Sequence, residues 1–397
     1  MNLSALKSPQ YRLYLIGNVF GMNANWIVRL INSWLAWDLT NSASFVGFVS
    51  FLAYAPVLLG GPFFGVITDR VELKTAMLTV QFTIVGLAFI LLGVVALDAM
   101  TPAFLAVYAL TLGTAFSAYQ PIRLTMGPRL VRAERVSSVV SLGALNFNIS
   151  RLTGPAIAGV LIASFGVTIT ALIVCILYIP FLIILSRLKP RERNVQVEHL
   201  PFWQSMRQGF AFVASDRLIR IAMVTTGLFS LVIRAALELL PIIADGVFER
   251  GAAGLGMITA AAGVGAISAS VVQVMAAPPV KGHIPKHALF ATLIGAVMTL
   301  ALGLNNSWTI AVILIGVIGF ASTLVGINFQ AAVQMQLDDH IRGRVMSLWM
   351  TVAVGGTALG ALAVGGLIEY VGFTKALSGI GVGSLVVFTV LLRKIWR

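Results

Sequence analysis

Long stretches without a charged residue recur along the whole chain. They occupy residues 39–68, 75–97, 99–122, 152–186, 251–280, 288–337, 345–368 and 376–392. A helix needs about 20 mostly apolar residues to cross a bilayer, and these stretches are close to that length or longer. The strands of a membrane barrel would alternate apolar and polar residues instead. The pattern therefore predicts membrane-spanning helices.

Glycine, proline and asparagine residues divide the longer stretches into twelve predicted spans. These spans cover residues 11–38, 43–67, 74–97, 102–122, 138–163, 167–187, 218–244, 252–277, 285–303, 307–331, 343–368 and 373–392. The longest polar stretch lies between the sixth and the seventh span. We therefore predict an all-α membrane protein with one six-helix bundle over 1–187, a cytoplasmic linker over 188–217 and a second six-helix bundle over 218–397.

The second part of the linker has a pattern of its own. Its apolar residues can share one face of a helix, and they are Phe202, Trp203, Met206, Phe210 and Val213. Such a pattern favours a helix that lies on the inner membrane surface. A plain tether between the two bundles is the alternative, and the sequence leaves both open.

The two predicted bundles share an internal repeat. Gly154, Gly159 and Gly166 recur as Gly360, Gly365 and Gly372, each 206 residues later. Flanking residues repeat with the same offset, such as the pairs 161–162 and 367–368 (both Leu-Ile). A duplicated six-helix unit is typical of transporters that bind their substrate between the two halves, near the membrane midplane.

Composition and charge narrow the class of protein further. Hydrophobic residues make up 58% of the 397 residues and charged residues only 10%, against about 25% charged in an ordinary soluble domain. An ordinary soluble enzyme and a disordered chain are therefore excluded.

The net charge of +13 is explained by where the Lys and Arg residues lie relative to the membrane. If both termini are cytoplasmic, 22 of the 27 Lys and Arg residues fall in or beside cytoplasmic segments, which is the positive-inside pattern. This distribution predicts that orientation and argues against nucleic-acid binding.

Chemical motifs for catalysis or metal binding are not evident. The chain has no GxxxxGK[ST] phosphate loop. His283 and His287 have helical metal spacing, but Pro285 lies between them. We predict no enzymatic activity, no cofactor and no metal site.

One loop carries a family resemblance. The segment from Gly61 to Lys74, GPFFGVITDRVELK, resembles the G-x-x-x-D-R-x-x-x-K/R signature of the major facilitator superfamily, and the resemblance covers the whole chain. It implies that Gly65, Asp69, Arg70 and Lys74 form a conformational latch, and that the fold works by alternating access. The corresponding stretch of the second half, 270–281, contains no Asp.

Two further motifs resemble those of exporters. The segment with Gly154, Pro155 and Gly159 is similar to an "antiporter" motif, and residues 338–347 are similar to a loop of the enterobactin-exporter and macrolide-efflux branch. Together these resemblances imply export from the cytoplasm of a bacterium across its inner membrane. In physical terms, Gly154 and Pro155 also favour close packing and a kink.

Four ionisable residues lie deep within predicted spans: Arg29, Arg151, Arg234 and Glu238. Such residues usually face a partner or a pathway. Arg29 belongs to a stripe on one face of the first span, which also contains Asn18, Met22, Asn25 and Asn32. We predict that the stripe contacts substrate, and bonds to other helices are the alternative.

Arg234 and Glu238 are four residues apart, so they can pair across one turn of an α-helix. Glu238 is the predicted proton carrier, and a structural ion pair is the alternative. Arg151 has either a cavity role or a packing role. The remaining polar candidates are more typical of helix–helix hydrogen bonds; they are Tyr54, Tyr119, Gln120, Gln273, Asn328, Gln330 and Gln334, of which Tyr119 and Asn328 are retained as candidate cavity residues.

Three arginines against one glutamate favour an anionic substrate. We therefore predict a proton-coupled exporter of a small, anionic, siderophore-like metabolite that functions as a monomer. A multidrug or antibiotic efflux pump of the same fold is the first alternative. A membrane receptor or scaffold that transports nothing is the second.

Overall fold

The computed structural model of the chain describes residues 3–70, 72–191, 202–275 and 282–396. For residues 59–70, 202–206, 274, 339, 340, 343 and 394–396 only the backbone is described. The helices are α1 (Pro9–Asp38), α2 (Ala43–Arg70), α3 (Leu73–Ala96), α4 (Pro102–Arg129), α5 (Val136–Arg187), α6 (Phe202–Ser215), α7 (Arg217–Val232), α8 (Gly251–Met275), α9 (Lys286–Leu304), α10 (Trp308–Gln336), α11 (Asp339–Val371) and α12 (Phe373–Trp396). We refer to α1–α5 as the N-terminal helices and to α7–α12 as the C-terminal helices.

Nine helical segments of the described residues are long and apolar enough to cross a membrane. The predicted all-helical membrane architecture is thereby confirmed. Helix α1 is 30 residues long but is not among the nine, and it carries the stripe of asparagines and Arg29. The count of twelve spans stays a prediction.

Helix α5 contains a break at the predicted boundary between the fifth and sixth spans. Gly166 has φ 79° and ψ 174°, which no helical residue adopts. Gly372, its repeat partner, has φ 86° and ψ 158° and ends α11. This left-handed backbone region is open to glycine at little steric cost, so the repeated glycine ends a helix at the same place in each half.

The other repeated glycines also make equivalent contacts. Gly154 of α5 packs against α1, and Gly360 of α11 packs against α7. Gly159 packs against α8 and Gly365 against α2. Because α7 and α8 are the counterparts of α1 and α2, each repeat meets its neighbours through the same small residues.

The predicted seventh span, 218–244, is not one continuous helix. Helix α7 ends at Val232, a 3-10 helix follows over Arg234–Glu238, and a π-helix occupies Ile242–Val247. Pro241 prevents a regular α-helix over 237–241, because it has no backbone N–H and its ring clashes with the carbonyl four residues before it. The tighter 3-10 turn changes the directions of the side chains before the proline.

The amphipathic segment of the linker forms helix α6, which packs on the start of α11. Gly209 faces Leu348 and Arg344, and Arg344 donates a hydrogen bond to Gln208. The side chains of 202–206 lie outside the described residues. Contact of α6 with the membrane surface stays a prediction.

The N-terminal and C-terminal helices meet most extensively along two contacts, α2 with α11 and α5 with α8. Both contacts lie towards the end of the molecule at which α1 ends and α2 begins. At this end, the indole N–H of Trp37 donates to Asp245 Oδ2 at 2.8 Å. The backbone N–H of Ala43 donates to Glu369 Oε2 at 2.7 Å. We call this end of the molecule the closed end.

The α5–α8 contact depends on glycine at position 159. A Cβ at this position would lie 2.3 Å from the Cα of Gly256, whereas carbon atoms in contact lie about 3.5–4.0 Å apart. We therefore expect Gly159→Val to push α5 and α8 apart by at least about 1 Å and to loosen the closed end. Spin labels on cysteines at Phe165 and Ala253 measure the separation, since native Cys175 is buried.

Gly143→Val is the matched control, because it changes the same helix at a site with no atom within 4 Å of the added Cβ. It is expected to leave the distance distribution unchanged. An unchanged distribution in Gly159→Val would contradict the close approach.

Candidate functional site

Five polar side chains from four separate elements meet inside the protein. We call Arg29, Tyr54, Arg151, Arg234 and Glu238 the central cluster. The hydroxyl of Tyr54 on α2 donates to Glu238 Oε1 at 2.8 Å. The guanidinium carbon of Arg29 lies 4.6 Å from the centre of the Tyr54 ring. The Tyr54–Glu238 bond therefore joins an N-terminal helix to the segment that follows α7.

Arg151 on α5 lies close enough to the other four for their charges to interact. All five side chains are half-buried. They come from both the N-terminal and the C-terminal helices. Three arginines and one glutamate give this interior region an excess of positive charge, which favours an anion.

The 3-10 helix determines how Glu238 enters the cluster. Residues four apart lie on one face of an α-helix, but at three residues per turn they point about 120° apart. Glu238 accepts from Tyr54, and its pairing with Arg234 stays a prediction. From the sequence, Tyr54 is only a candidate for a helix–helix hydrogen bond. The single feature that points to a functional role is its hydroxyl group within an apolar span.

The asparagines of the α1 stripe are hydrogen-bonded to neighbouring helices. Asn146 Nδ2 donates to Asn18 Oδ1 at 2.8 Å, and Asn18 Nδ2 donates to the Tyr119 hydroxyl at 3.3 Å. The Tyr178 hydroxyl donates to Asn25 Oδ1 at 2.6 Å. These five side chains are buried, which is the arrangement of helix–helix packing. Substrate contact by Asn18, Asn25 and Tyr119 stays a prediction.

Asn32 continues the stripe beyond Arg29. Its side chain is buried, and its Oδ1 has no partner among the described residues. An unsatisfied buried carbonyl is unfavourable. Of the stripe, Arg29 alone belongs to the central cluster.

Asn328 lies in a separate hydrogen-bonded chain within the C-terminal helices. Its Nδ2 donates to Gln273 Oε1 at 2.7 Å, and its Oδ1 lies 3.0 Å from His287 Nε2. Asn328 is fully buried. These partners lie on α8 and α9, so the described contacts do not bring Asn328 into the central cluster.

The resemblance motifs have structural positions. Gly65, Asp69 and Arg70 lie in the last turns of α2, where only the backbone is described, and Lys74 lies in the first turn of α3. The latch role therefore rests on side chains outside the described residues. In the exporter motif, a Cβ at Gly154 would lie 2.5 Å from Trp26 Cβ, so Gly154 lets α5 approach α1 closely.

Ionisable groups enclosed between two sets of membrane helices are typical of transporters. The comparison with known families agrees: residues 1–395 match the family described as "Transmembrane secretion effector". The chain belongs to this family of the major facilitator superfamily, and it is a membrane transporter rather than an enzyme.

Curated relatives cover almost the whole chain. The chain is 27% identical to the enterobactin exporter EntS of Escherichia coli O1:K1 over 400 residues, covering 99% of this chain and 93% of that protein. It is 26% identical, with the same coverage, to EntS of Shigella boydii serotype 4. These matches place the chain among the multi-pass transporters of bacterial inner membranes.

Solved structures of the same fold are more distant in sequence. The nucleoside transporter NupG matches with a TM-score of 0.71 at 13% identity, covering 97% of this chain and 98% of NupG. The human organic anion transporter MFSD10 matches with a TM-score of 0.68 at 15% identity, covering 96% and 99%. These likenesses show the fold alone.

The Asn25–Tyr178 bond provides a test of packing in the α1 stripe. In a double-mutant cycle of Asn25→Ala and Tyr178→Phe, we expect a coupling energy of about 0.6–2 kcal/mol, because each change removes one partner of a buried bond. Unfolding of the purified protein in detergent measures it. Pairing Asn25→Ala with Thr83→Ala, whose hydroxyl bonds its own helix on exposed α3 surface, should give no coupling. A coupling energy of zero for Asn25 and Tyr178 would contradict the packing role and would favour contact of Asn25 with a ligand.

Proposed function

We propose that the chain is a twelve-span exporter that works by alternating access, with bundles over 1–187 and 218–397 joined by the linker 188–217. Both termini are cytoplasmic, and the monomer is the functional unit. The equivalent contacts made by the two glycine repeats support the two-bundle division. The distribution of Lys and Arg supports the orientation.

In this orientation the closed end faces the outside. The contacts of α2 with α11 and of α5 with α8, together with the Trp37–Asp245 bond, then seal the outer side. The central cluster faces the cytoplasm, which is the side from which an exporter loads its substrate.

The substrate that we propose is a small, anionic, siderophore-like metabolite. The observation that carries this proposal is the central cluster, in which three arginines outnumber one glutamate. Guanidinium groups bind carboxylates and other planar anions through paired hydrogen bonds. The named substrate of the curated relatives, enterobactin, is consistent with this chemistry.

Glu238 is the proposed proton-coupling residue, because it is the carboxylate of the cluster and its hydrogen bond joins the two bundles. The anionic group of the substrate binds to the arginines. A hydroxyl group of the substrate donates a hydrogen bond to Glu238, which must be ionised to accept it. Loading then requires that Glu238 release its proton to the cytoplasm. A proton from outside returns to Glu238 after the substrate leaves, which is the cycle of an antiporter.

Glu238→Gln tests this coupling. In proteoliposomes, an inward proton gradient should accelerate export by the wild type, and Glu238→Gln should abolish this acceleration because the amide carries no titratable proton. Glu249→Gln, which changes an exposed carboxylate, should keep it. If Glu238→Gln responds to the gradient like the wild type, protons couple elsewhere or not at all.

The substrate class is tested in the native host. After deletion of the gene and growth under iron starvation, we expect one anionic chelator to be retained inside the cells and lost from the medium, as measured by mass spectrometry. Restoration by the wild-type gene but not by Arg29→Ala would connect export to the cluster. Unchanged chelator levels would exclude the siderophore.

Multidrug or antibiotic efflux is the second candidate function. The aromatic rings of Trp26 and Tyr54, which both lie beside Arg29, favour it, since amphipathic drugs stack on aromatic faces. Increased susceptibility of the deletion strain to dyes and antibiotics, with no change in chelator export, would select this function.

A further inference from the structure

Beyond the central cluster, a line of cationic and aromatic side chains continues through the N-terminal helices. Arg29 lies 5.3 Å from the ring centre of Trp26, and the Trp26 ring meets Phe147 edge to face at 5.7 Å. At the far end, the guanidinium carbon of Arg123 lies 5.9 Å from the Phe147 ring centre. We call Arg123, Phe147 and Trp26 the aromatic track.

The track joins three helices and leads away from the closed end. Trp26 lies on α1, three residues before Arg29, and Phe147 lies on α5, four residues before Arg151. Arg123 lies near the end of α4 that is far from the closed end. All three side chains are half-buried, so each keeps surface that a small molecule can reach. In the proposed orientation, the track runs from the cytoplasmic side to the central cluster.

The Arg123 side chain is held by one hydrogen bond but has further N–H donors. Its Nε donates to Gln120 Oε1 at 3.1 Å, and its backbone carbonyl accepts from the Tyr14 hydroxyl at 3.3 Å. The described hydrogen bonds leave its terminal N–H groups unused. Those groups are the pair with which a guanidinium binds a carboxylate.

Phe147 and Trp26 complete a surface for a ring. Gly154 brings α5 against the Cβ of Trp26, which fixes the position of the indole beside Phe147. A guanidinium next to an aromatic face recognises a planar ring that carries negative charge, by stacking and by charge-assisted hydrogen bonds together.

We propose that Arg123 and Phe147 form a loading site for aromatic anions, separate from the central cluster, and that Trp26 connects the two sites. The inference deepens the proposed function and rests on it for the direction of travel. Arg123 enters neither the proton coupling nor the central cluster, so the loading site can be measured by itself.

Binding of 2-naphthoate to the full-length protein in nanodiscs of zwitterionic lipid tests the proposal. Isothermal titration calorimetry is performed in an Arg29→Gln background, which weakens the central cluster and leaves the loading site. We expect residual naphthoate binding there, which Arg123→Gln and Phe147→Leu each weaken by about fivefold or more. Arg132→Gln, an exposed arginine at the same end, should leave it unchanged.

Two further probes separate ring recognition from charge alone. Cyclohexanecarboxylate has the charge without an aromatic ring, and 2-naphthol has the ring without the charge; both should bind several-fold more weakly than 2-naphthoate. Arg123→Lys keeps the charge but not the planar fork and should recover part of the affinity. If Arg123→Gln fails to fold, Arg123→Lys replaces it in the binding measurement.

The outcomes distinguish this inference from the proposed function. Equal naphthoate binding in Arg123→Gln and Arg132→Gln, or equal binding of cyclohexanecarboxylate, would overturn the loading site even if the host exports an anionic chelator. Naphthoate binding that depends on Arg123 and Phe147 would support it even if no such export is found.

Discussion

Ionised side chains cannot face lipid without a large free-energy penalty, and this constraint underlies the arrangement of the whole protein. Each arginine at the centre of a span is unfavourable by roughly 2.5–3.5 kcal/mol on the insertion scale. Arg29, Arg151 and Arg234 lie on three different elements, so all three can avoid lipid only if those elements turn the same faces to one another. The Tyr54–Glu238 bond lies where they meet, which is the site that we propose for the substrate.

Small residues make the meeting of the two sets of helices possible. At the closed end, Gly159 and Gly256 approach so closely that a single added methyl group would not fit. Their repeat counterparts, Gly365 and Gly47, make the equivalent approach of α11 to α2. At these points the two sets touch through backbone atoms rather than through large side chains. A seam of this kind suits a transporter that must open and close.

The asparagines of α1 show why polar residues in a membrane helix are ambiguous in a sequence. The spacing of Asn18, Asn25 and Arg29 places them on one face of a helix, and all three lie on helix α1. The structure separates them by their partners: the two asparagines bond to Asn146, Tyr119 and Tyr178 within the N-terminal helices, while Arg29 reaches Tyr54. Periodicity identifies the face of a helix, but the hydrogen-bond partners of the two asparagines come from residues more than 100 positions away.

The sequence by itself determined the membrane class, the helical architecture, the break at Gly166 and the family, because apolar length, glycine spacing and local motifs are properties of short segments. It left the linker open between an amphipathic helix and a tether, and the structure shows helix α6 there. It also identified the four buried charges, since an ion in an apolar run is conspicuous. Only the tertiary structure decided which of them meet. The packing of α2 against the 3-10 segment brought Tyr54 to Glu238, and the approach of α5 to α1 placed Trp26 beside Phe147. These contacts depend on the mutual packing of distant helices, which no local pattern encodes.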